Sequence, residues 1–238
     1  MGSDLSKKLR EGTKKAHTMA ENVGFVRCFL KGVVEKKSYR TLISNLYFVY
    51  SEMEAQMERH QNHSVLGQIY FPLINRQESL EQDLDFYYGA DWQKLISASP
   101  ATQTYVERIR TLSDTEPELL IAHLYTRYMG DLSGGQILKG IAQRAMNLTN
   151  GDGTAFYEFK DIANEKEFKT LYRQRLDELP LDEDRIDKIV DEANLAFEMN
   201  MKLFQELEGS VIKAVGQLLF NTLTRRRTRG STELALAE

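Results

Sequence analysis

Gly130-Asp131-Leu132-Ser133-Gly134-Gly135 lies in the middle of a stretch that otherwise reads as one helix, from about residue 116 to 147. Glycine inside a helix costs roughly 1 kcal/mol relative to alanine, so three glycines in six residues call for a reason. Lacking a Cβ, glycine lets a helix bend and lets a ligand approach the backbone. One acid, Asp131, stands in the gap. Bare backbone beside a carboxylate suits a flat ligand lying on the helix, with proton chemistry at hand. Upstream, Thr115-Glu-Pro-Glu118 has the form of a capping box with proline in the first turn, which predicts the helix start.

Outward from this helix the apolar residues keep helical spacing. Tyr39, Leu42, Leu46, Tyr50, Met53 and Met57 recur in steps of three or four, as do Ile186, Ile189, Ala193, Phe197, Asn200 and Phe204. Alternating strand patterns are nearly absent. Only Phe156-Tyr-Glu-Phe159, after the turn Asn150-Gly-Asp-Gly153, hints at extended chain. The four prolines, at 72, 100, 117 and 180, punctuate helices rather than mark linkers. The expectation is a single-domain, all-α, multi-helix fold over residues 1–224. The basic run Arg225-Arg-Arg-Thr-Arg229 then opens a tail, 225–238, expected to be disordered.

Composition narrows the function classes. With 238 residues, 42% of them hydrophobic, the chain can bury one sizeable core. Lys and Arg number 31 against 35 Asp and Glu, a net charge of -4 that argues against a nucleic-acid partner. The one cysteine, Cys28, excludes disulfides within the chain and iron–sulfur ligation by it, and fits a reducing compartment. Beside Phe29 and Leu30 it reads as an inert buried thiol. The N-terminus is too polar for a signal peptide, and no stretch reaches the roughly 18 apolar residues of a membrane span. A soluble, cytoplasmic protein without membrane association is expected, with a monomer as the default.

Arg10, Lys14, His17 and Glu21 are spaced four, three and four apart. On a helix they fall within roughly 60° of one another. An imidazole can ligate a metal while a carboxylate one turn away accepts its other N–H, and the two cations can bind acidic groups of the same ligand. An exposed polar face with an incidental histidine fits the same spacing. His60 and His63, in Glu58-Arg-His-Gln-Asn-His-Ser64, read as a polar helix end, and His123, among Leu119, Leu120 and Ile121, as a core histidine. Lys169 and Arg173 flank Tyr172 as a second pair of cations or as an ordinary solvated face. Phe197, Asn200 and Phe204 stripe a late helix, either as core or as cofactor wall. Arg127, four residues before Asp131, is in reach of an ion pair with it.

These residues carry a family resemblance. Leu9-Arg-Glu-Gly-Thr-Lys-Lys-Ala-His17, followed by Ala20-Glu-Asn22, resembles the proximal-helix signature of heme oxygenases. Glu118-Leu-Leu-Ile-Ala-His-Leu-Tyr-Thr-Arg-Tyr-Met-Gly-Asp-Leu-Ser-Gly-Gly-Gln136 resembles their distal-helix signature almost residue for residue. Leu80-Glu-Gln-Asp-Leu84 and Phe168-Lys-Thr-Leu-Tyr-Arg173 are similar as well, so the resemblance spans roughly residues 5 to 224.

The resemblance implies that heme b, at once cofactor and substrate, lies between a proximal helix and a kinked distal one. It makes His17 the axial iron ligand, with Glu21 behind it. Arg10, Lys14, Tyr125, Lys169 and Arg173 become the surroundings of the heme propionates, and Phe197 and Asn200 line the pocket. Gly130 and Gly134 press the distal helix onto the heme, and Asp131 serves the distal water network with Tyr50 and Arg127 as supports. The implied reaction converts heme to biliverdin (the IXα isomer), carbon monoxide and ferrous iron, using O2 and external electrons, with no other metal. No membrane-anchoring tail follows, which is similar to the soluble cyanobacterial and algal type. Reduced ferredoxin and its reductase, and a downstream bilin reductase in phycobilin synthesis, are then the expected partners.

Two other classes compete with this reading. A heme carrier or storage protein shares the pocket without turnover, although it has no need of an acid among distal glycines. A di-iron carboxylate bundle needs Glu-x-x-His pairs, and none of the four histidines has glutamate three residues before it.

Overall fold

The computed structural model describes the backbone of residues 3–149 and 151–234, and side chains within that span as far as residue 208. Ten α-helices occur among the described residues, with no strand. They are α1 (Leu5–Gly12), α2 (Lys14–Glu21), α3 (Gly24–Leu30), α4 (Lys36–Arg59), α5 (Gln77–Tyr88), α6 (Pro100–Thr115), α7 (Leu120–Leu124), α8 (Gly130–Met146), α9 (Glu165–Asp177) and α10 (Glu183–Leu234). A π-turn, Tyr125–Met129, joins α7 to α8. The sequence therefore predicts the fold class correctly.

The two apolar stripes build the centre of the molecule. Tyr39, Leu42, Leu46, Tyr50, Met53 and Met57 are all buried on α4, which packs against α5 and α6. Ile186, Ile189 and Ala193 on α10 are buried too, and α10 lies against α1, α2, α3, α4, α6 and α7. Each large aliphatic side chain so enclosed contributes about 1.5–3 kcal/mol. The N-terminal segment sits close on this axis. A Cβ at Gly12 would stand 2.5 Å from Val190 Cγ1, so only glycine allows the approach. Two helix starts follow ordinary capping rules: Ser99 accepts from the Thr102 N–H ahead of Pro100, and Asn164 accepts from Lys166 and Glu167.

The structure corrects several local expectations. Arg10 and His17 are not on one helix, because the chain breaks at Thr13, whose hydroxyl bonds back to Leu9 O at 2.7 Å. No capping box forms at Thr115. That residue ends α6 with its hydroxyl on Thr111 O, and a 3₁₀ turn, Pro117–Leu119, leads into α7 instead. The segment around Phe156 is not extended. Asp83 accepts from the backbone N–H groups of Ala155 (2.8 Å) and Phe156 (2.9 Å) and curls it into a 3₁₀ turn. Cys28 is half-buried rather than enclosed. His60 does end α4, with Nε2 on the Ser113 hydroxyl at 2.8 Å, and His123 is a fully buried core residue. Of the stretch read as a tail, α10 includes residues up to 234, and 235–238 lie outside the described residues.

Candidate active site

The distal helix is three pieces in line: α7, the π-turn and α8. A π-turn inserts one residue and widens the helix, which is a recognised cause of kinking. The irregularity in the distal helix is this π-turn, Tyr125–Met129, one turn ahead of the glycines. The glycines serve a different end. Apart from the helix's own nearby backbone and the adjoining residues, no atom of the described residues lies within 4 Å of the place a Cβ would occupy on Gly130 or Gly134. At Gly135 the same construction meets the Tyr157 ring at 3.5 Å. One flank of α8 opens on space and the other rests on an aromatic wedge.

Asp131 opens α8 with its side chain only 12% exposed. Tyr50 of α4 donates a hydrogen bond to its Oδ2. Arg127, itself 10% exposed, brings its guanidinium to 4.0 Å from Oδ1. Burial raises the carboxyl above its usual range, and the Arg127 charge and the Tyr50 bond hold that rise in check. Burial, more than any neighbour, also lifts Tyr50 well above an ordinary phenol, so it stays a donor.

Arg127 extends this cluster inward. Its Nε donates to Tyr50 OH at 3.0 Å and Nη1 to Asn200 Oδ1 at 2.7 Å. Asn200 Nδ2 turns to Ala196 O (2.8 Å) and to the Tyr105 hydroxyl (3.5 Å). Tyr105 OH lies 3.3 Å from His123 Nδ1, and His123 Nε2 lies 3.0 Å from Glu192, which Arg108 Nε also reaches at 3.0 Å. A carboxylate can only accept, so His123 carries a proton on Nε2, and as a neutral imidazole it takes the Tyr105 hydrogen on Nδ1. Burial works against the Glu192 charge, yet the bonds from His123 and Arg108 bring its carboxyl down to about 2.

The proximal residues sit differently. His17, on α2, is 57% exposed and meets Phe197 of α10 edge-on, with ring centroids 5.7 Å apart. Its Nδ1 is 3.7 Å from Glu21 Oε1, ion-pair range rather than a hydrogen bond. Phe197 and Asn200 share one face of α10, so the same helix touches His17 at one point and Arg127 three residues on. Arg173 and Arg10 bring positive charge to the Tyr125 phenol, opposing the rise that burial gives it. Lys169 Nζ donates to Leu132 O at 3.1 Å, tying α9 to α8, and Lys14 is exposed on α2.

Sequence reasoning thus named Tyr50, Arg127, Asp131 and Asn200, which the fold brings into one network. It missed Tyr105, Glu192, Glu54 and Tyr128. Glu54 is buried beside Tyr50 on α4 and accepts from the Tyr128 hydroxyl at 3.1 Å. An acid one turn from Tyr50, inside an apolar stripe, was the available signal.

Comparison with known proteins places the chain in a family. Residues 3–206 match the family model described as heme oxygenase. The chain is 68% identical to heme oxygenase 1 of a Nostoc species, over 238 residues and the full length of both chains. It is 58% identical to a heme oxygenase of Rhodella violacea, with 96% of this chain and 97% of that one aligned. A crystal structure of heme oxygenase-1 from a Synechocystis species in complex with heme superposes with a TM-score of 0.90 at 63% identity, covering 92% of this chain and 99% of that one. With its glycine-faced distal helix, its histidine-bearing proximal helix and near-complete alignment to these relatives, the chain belongs to the heme oxygenase family.

Proposed function

We propose that this chain binds heme between α2 and α8 and cleaves it to biliverdin, carbon monoxide and ferrous iron, with O2 and external electrons consumed. The observation that carries the reading is a pairing along one face of α10. Phe197 meets the exposed imidazole of His17, and three residues on Asn200 holds Arg127 beside Asp131, a largely enclosed acid at the start of a helix that carries no side chains at Gly130 and Gly134.

The residues fit the group. His17 offers a nitrogen ligand while Glu21 stands by its other ring nitrogen and Phe197 braces the ring. The space left at Gly130 and Gly134 admits a flat macrocycle against backbone. Arg10, Lys14, Tyr125, Lys169 and Arg173 give the rim charge and hydrogen-bond donors for two carboxylate side groups. Heme supplies iron at which dioxygen is reduced and the oxidisable ring itself. Asp131, with Tyr50 and Arg127 holding it, passes protons through water toward the space beside the glycines. The rim cations fix which ring edge faces that space, and the IXα isomer is the outcome inferred from family likeness.

We further assign reduced ferredoxin, recharged by its reductase, as the electron donor, and a bilin reductase in pigment synthesis as the consumer of the product. Cyanobacterial and red algal relatives support this setting. No helix of the described residues is long and apolar enough to cross a membrane. The single thiol is in keeping with a reducing compartment, and we place the enzyme in the cytoplasm.

The test is hemin added to the purified protein, followed by ferredoxin, its reductase and NADPH. A Soret band that forms and then decays as biliverdin appears is the expected result. A Soret band that persists under reducing conditions would indicate a carrier, and failure to form one would end the heme reading.

A further inference from the structure

We propose that Tyr128, held by Glu54, is a positioning residue that pins the π-turn and so fixes the register in which Asp131 meets Tyr50. The distal helix is fastened to α4 by two tyrosine–carboxylate bonds that run in opposite directions. Tyr50 of α4 donates to Asp131 of α8, and Tyr128 of the π-turn donates back to Glu54 of α4 at 3.1 Å. Tyr50 and Glu54 are one turn apart on the same face of α4, and Tyr128 and Asp131 are three residues apart. Between the two bonds the tyrosine rings meet edge-on at 5.7 Å.

Glu54 is a fixed acceptor. Its carboxylate also receives the backbone N–H groups of Arg76 (2.5 Å) and Gln77 (3.2 Å) at the start of α5, so it cannot follow Tyr128 if the helix moves. The π-turn it restrains is the less stable form of helix. Without the tie, relaxation to an α-helix removes the inserted residue and turns everything beyond it by about 100°. Asp131, two residues after the π-turn, would then leave the Tyr50 hydroxyl. Because two backbone donors still satisfy Glu54, losing the Tyr128 hydroxyl acts on the register and does not strand a bare buried charge.

The test uses the full-length, heme-free protein and amide hydrogen exchange. Tyr128→Phe is expected to speed exchange over residues 125–135 by about fivefold or more while α4 and α6 stay at parental rates, the mark of local opening. Glu54→Gln, which turns an amide N–H₂ toward the α5 donors, is expected to do the same. Tyr172→Phe removes another buried hydroxyl, one without a partner, and is expected to change nothing. Unchanged exchange in both the Tyr128 and Glu54 variants, or equal acceleration across all helices, would overturn the proposal. Its bearing on chemistry rests on the proposed role of Asp131. With hemin bound, Tyr128→Phe should shift the pH titration of the ferric visible spectrum in the same direction as Asp131→Ala. A titration that moves for Asp131→Ala but not for Tyr128→Phe overturns the pin. One that moves for neither, with exchange accelerated, leaves the pin standing and removes Asp131 from the proton path.

Discussion

The proximal and distal sides of the proposed heme site are built on opposite principles. On the proximal side His17 is more than half exposed, sits on a short helix after a break at Thr13, and has a carboxylate at 3.7 Å and one ring edge for company. On the distal side Arg127, Tyr50 and Asn200 are buried, Asp131 is 12% exposed, and the four are joined across α4, the π-turn, α8 and α10. An iron–imidazole bond needs only a nitrogen in roughly the right place, because the bond orients the ring once made. Proton delivery needs an acid whose position and ionisation are set beforehand. The energy of pre-organisation is therefore concentrated on one side.

That contrast can be broken by mutation, starting with the largest effect. His17→Ala should remove the axial bond while some heme still binds, with biliverdin formation falling to background. An unchanged visible spectrum would show that another residue holds the iron. Asp131→Ala should keep heme and its His17 band yet lower biliverdin formation by about 10²- to 10⁴-fold, with the consumed reducing equivalents diverted to other products. Native turnover in this variant would mean that protons arrive by another route.

The third effect is on stability. Glu192 has a carboxyl near 2 in the fold against an ordinary value of 4.5, so the unfolded chain takes up its proton first as the pH falls. The stabilisation is complete above pH 4.5 and is lost on acidification toward 2, on the order of 3 kcal/mol. Urea unfolding at stepped pH should show this slope in the parent and a flatter one in Glu192→Gln, which starts less stable. Parallel curves would contradict the assignment. Smallest of all, Glu21→Ala should change heme affinity less than the roughly 10- to 100-fold typical of a bonded partner behind a metal-ligating histidine. A loss as large as that range would show that the proximal side is organised more tightly than its 3.7 Å separation implies.

How much of this was legible depends on the range of the physics involved. Helical periodicity is local, so the buried faces of α4 and α10 follow from the spacing of Tyr39 to Met57 and of Ile186 to Asn200. The pairing of Arg127 with Asp131 is also local, being one turn apart on the distal helix. What stayed hidden depends on long-range contacts. The π-turn has no marker in Tyr125-Thr-Arg-Tyr-Met129, since the bonds that accompany it come from Glu54 and Asn200, 74 and 73 residues from their partners. The capping-box pattern at Thr115 was overruled because α6 ran on to use that residue as its last turn. Buried acids were the readable signal left unused. Glu54, Asp83 and Glu192 each lie beside core residues of an apolar stripe, where an unpaired charge would be costly.

With His123 a neutral imidazole, the row from Arg127 through Asn200, Tyr105 and His123 to Glu192 has a single direction, each member giving a hydrogen to the next. It begins at a guanidinium and ends at a carboxylate, and an amide stands in the middle. Carboxamides do not exchange hydrogens readily, so charge cannot hop along such a line. It behaves as an insulated dipole, with its cationic head 4.0 Å from Asp131. Under the proposed function, the hydrogen ions that Asp131 handles arrive by a route other than this row.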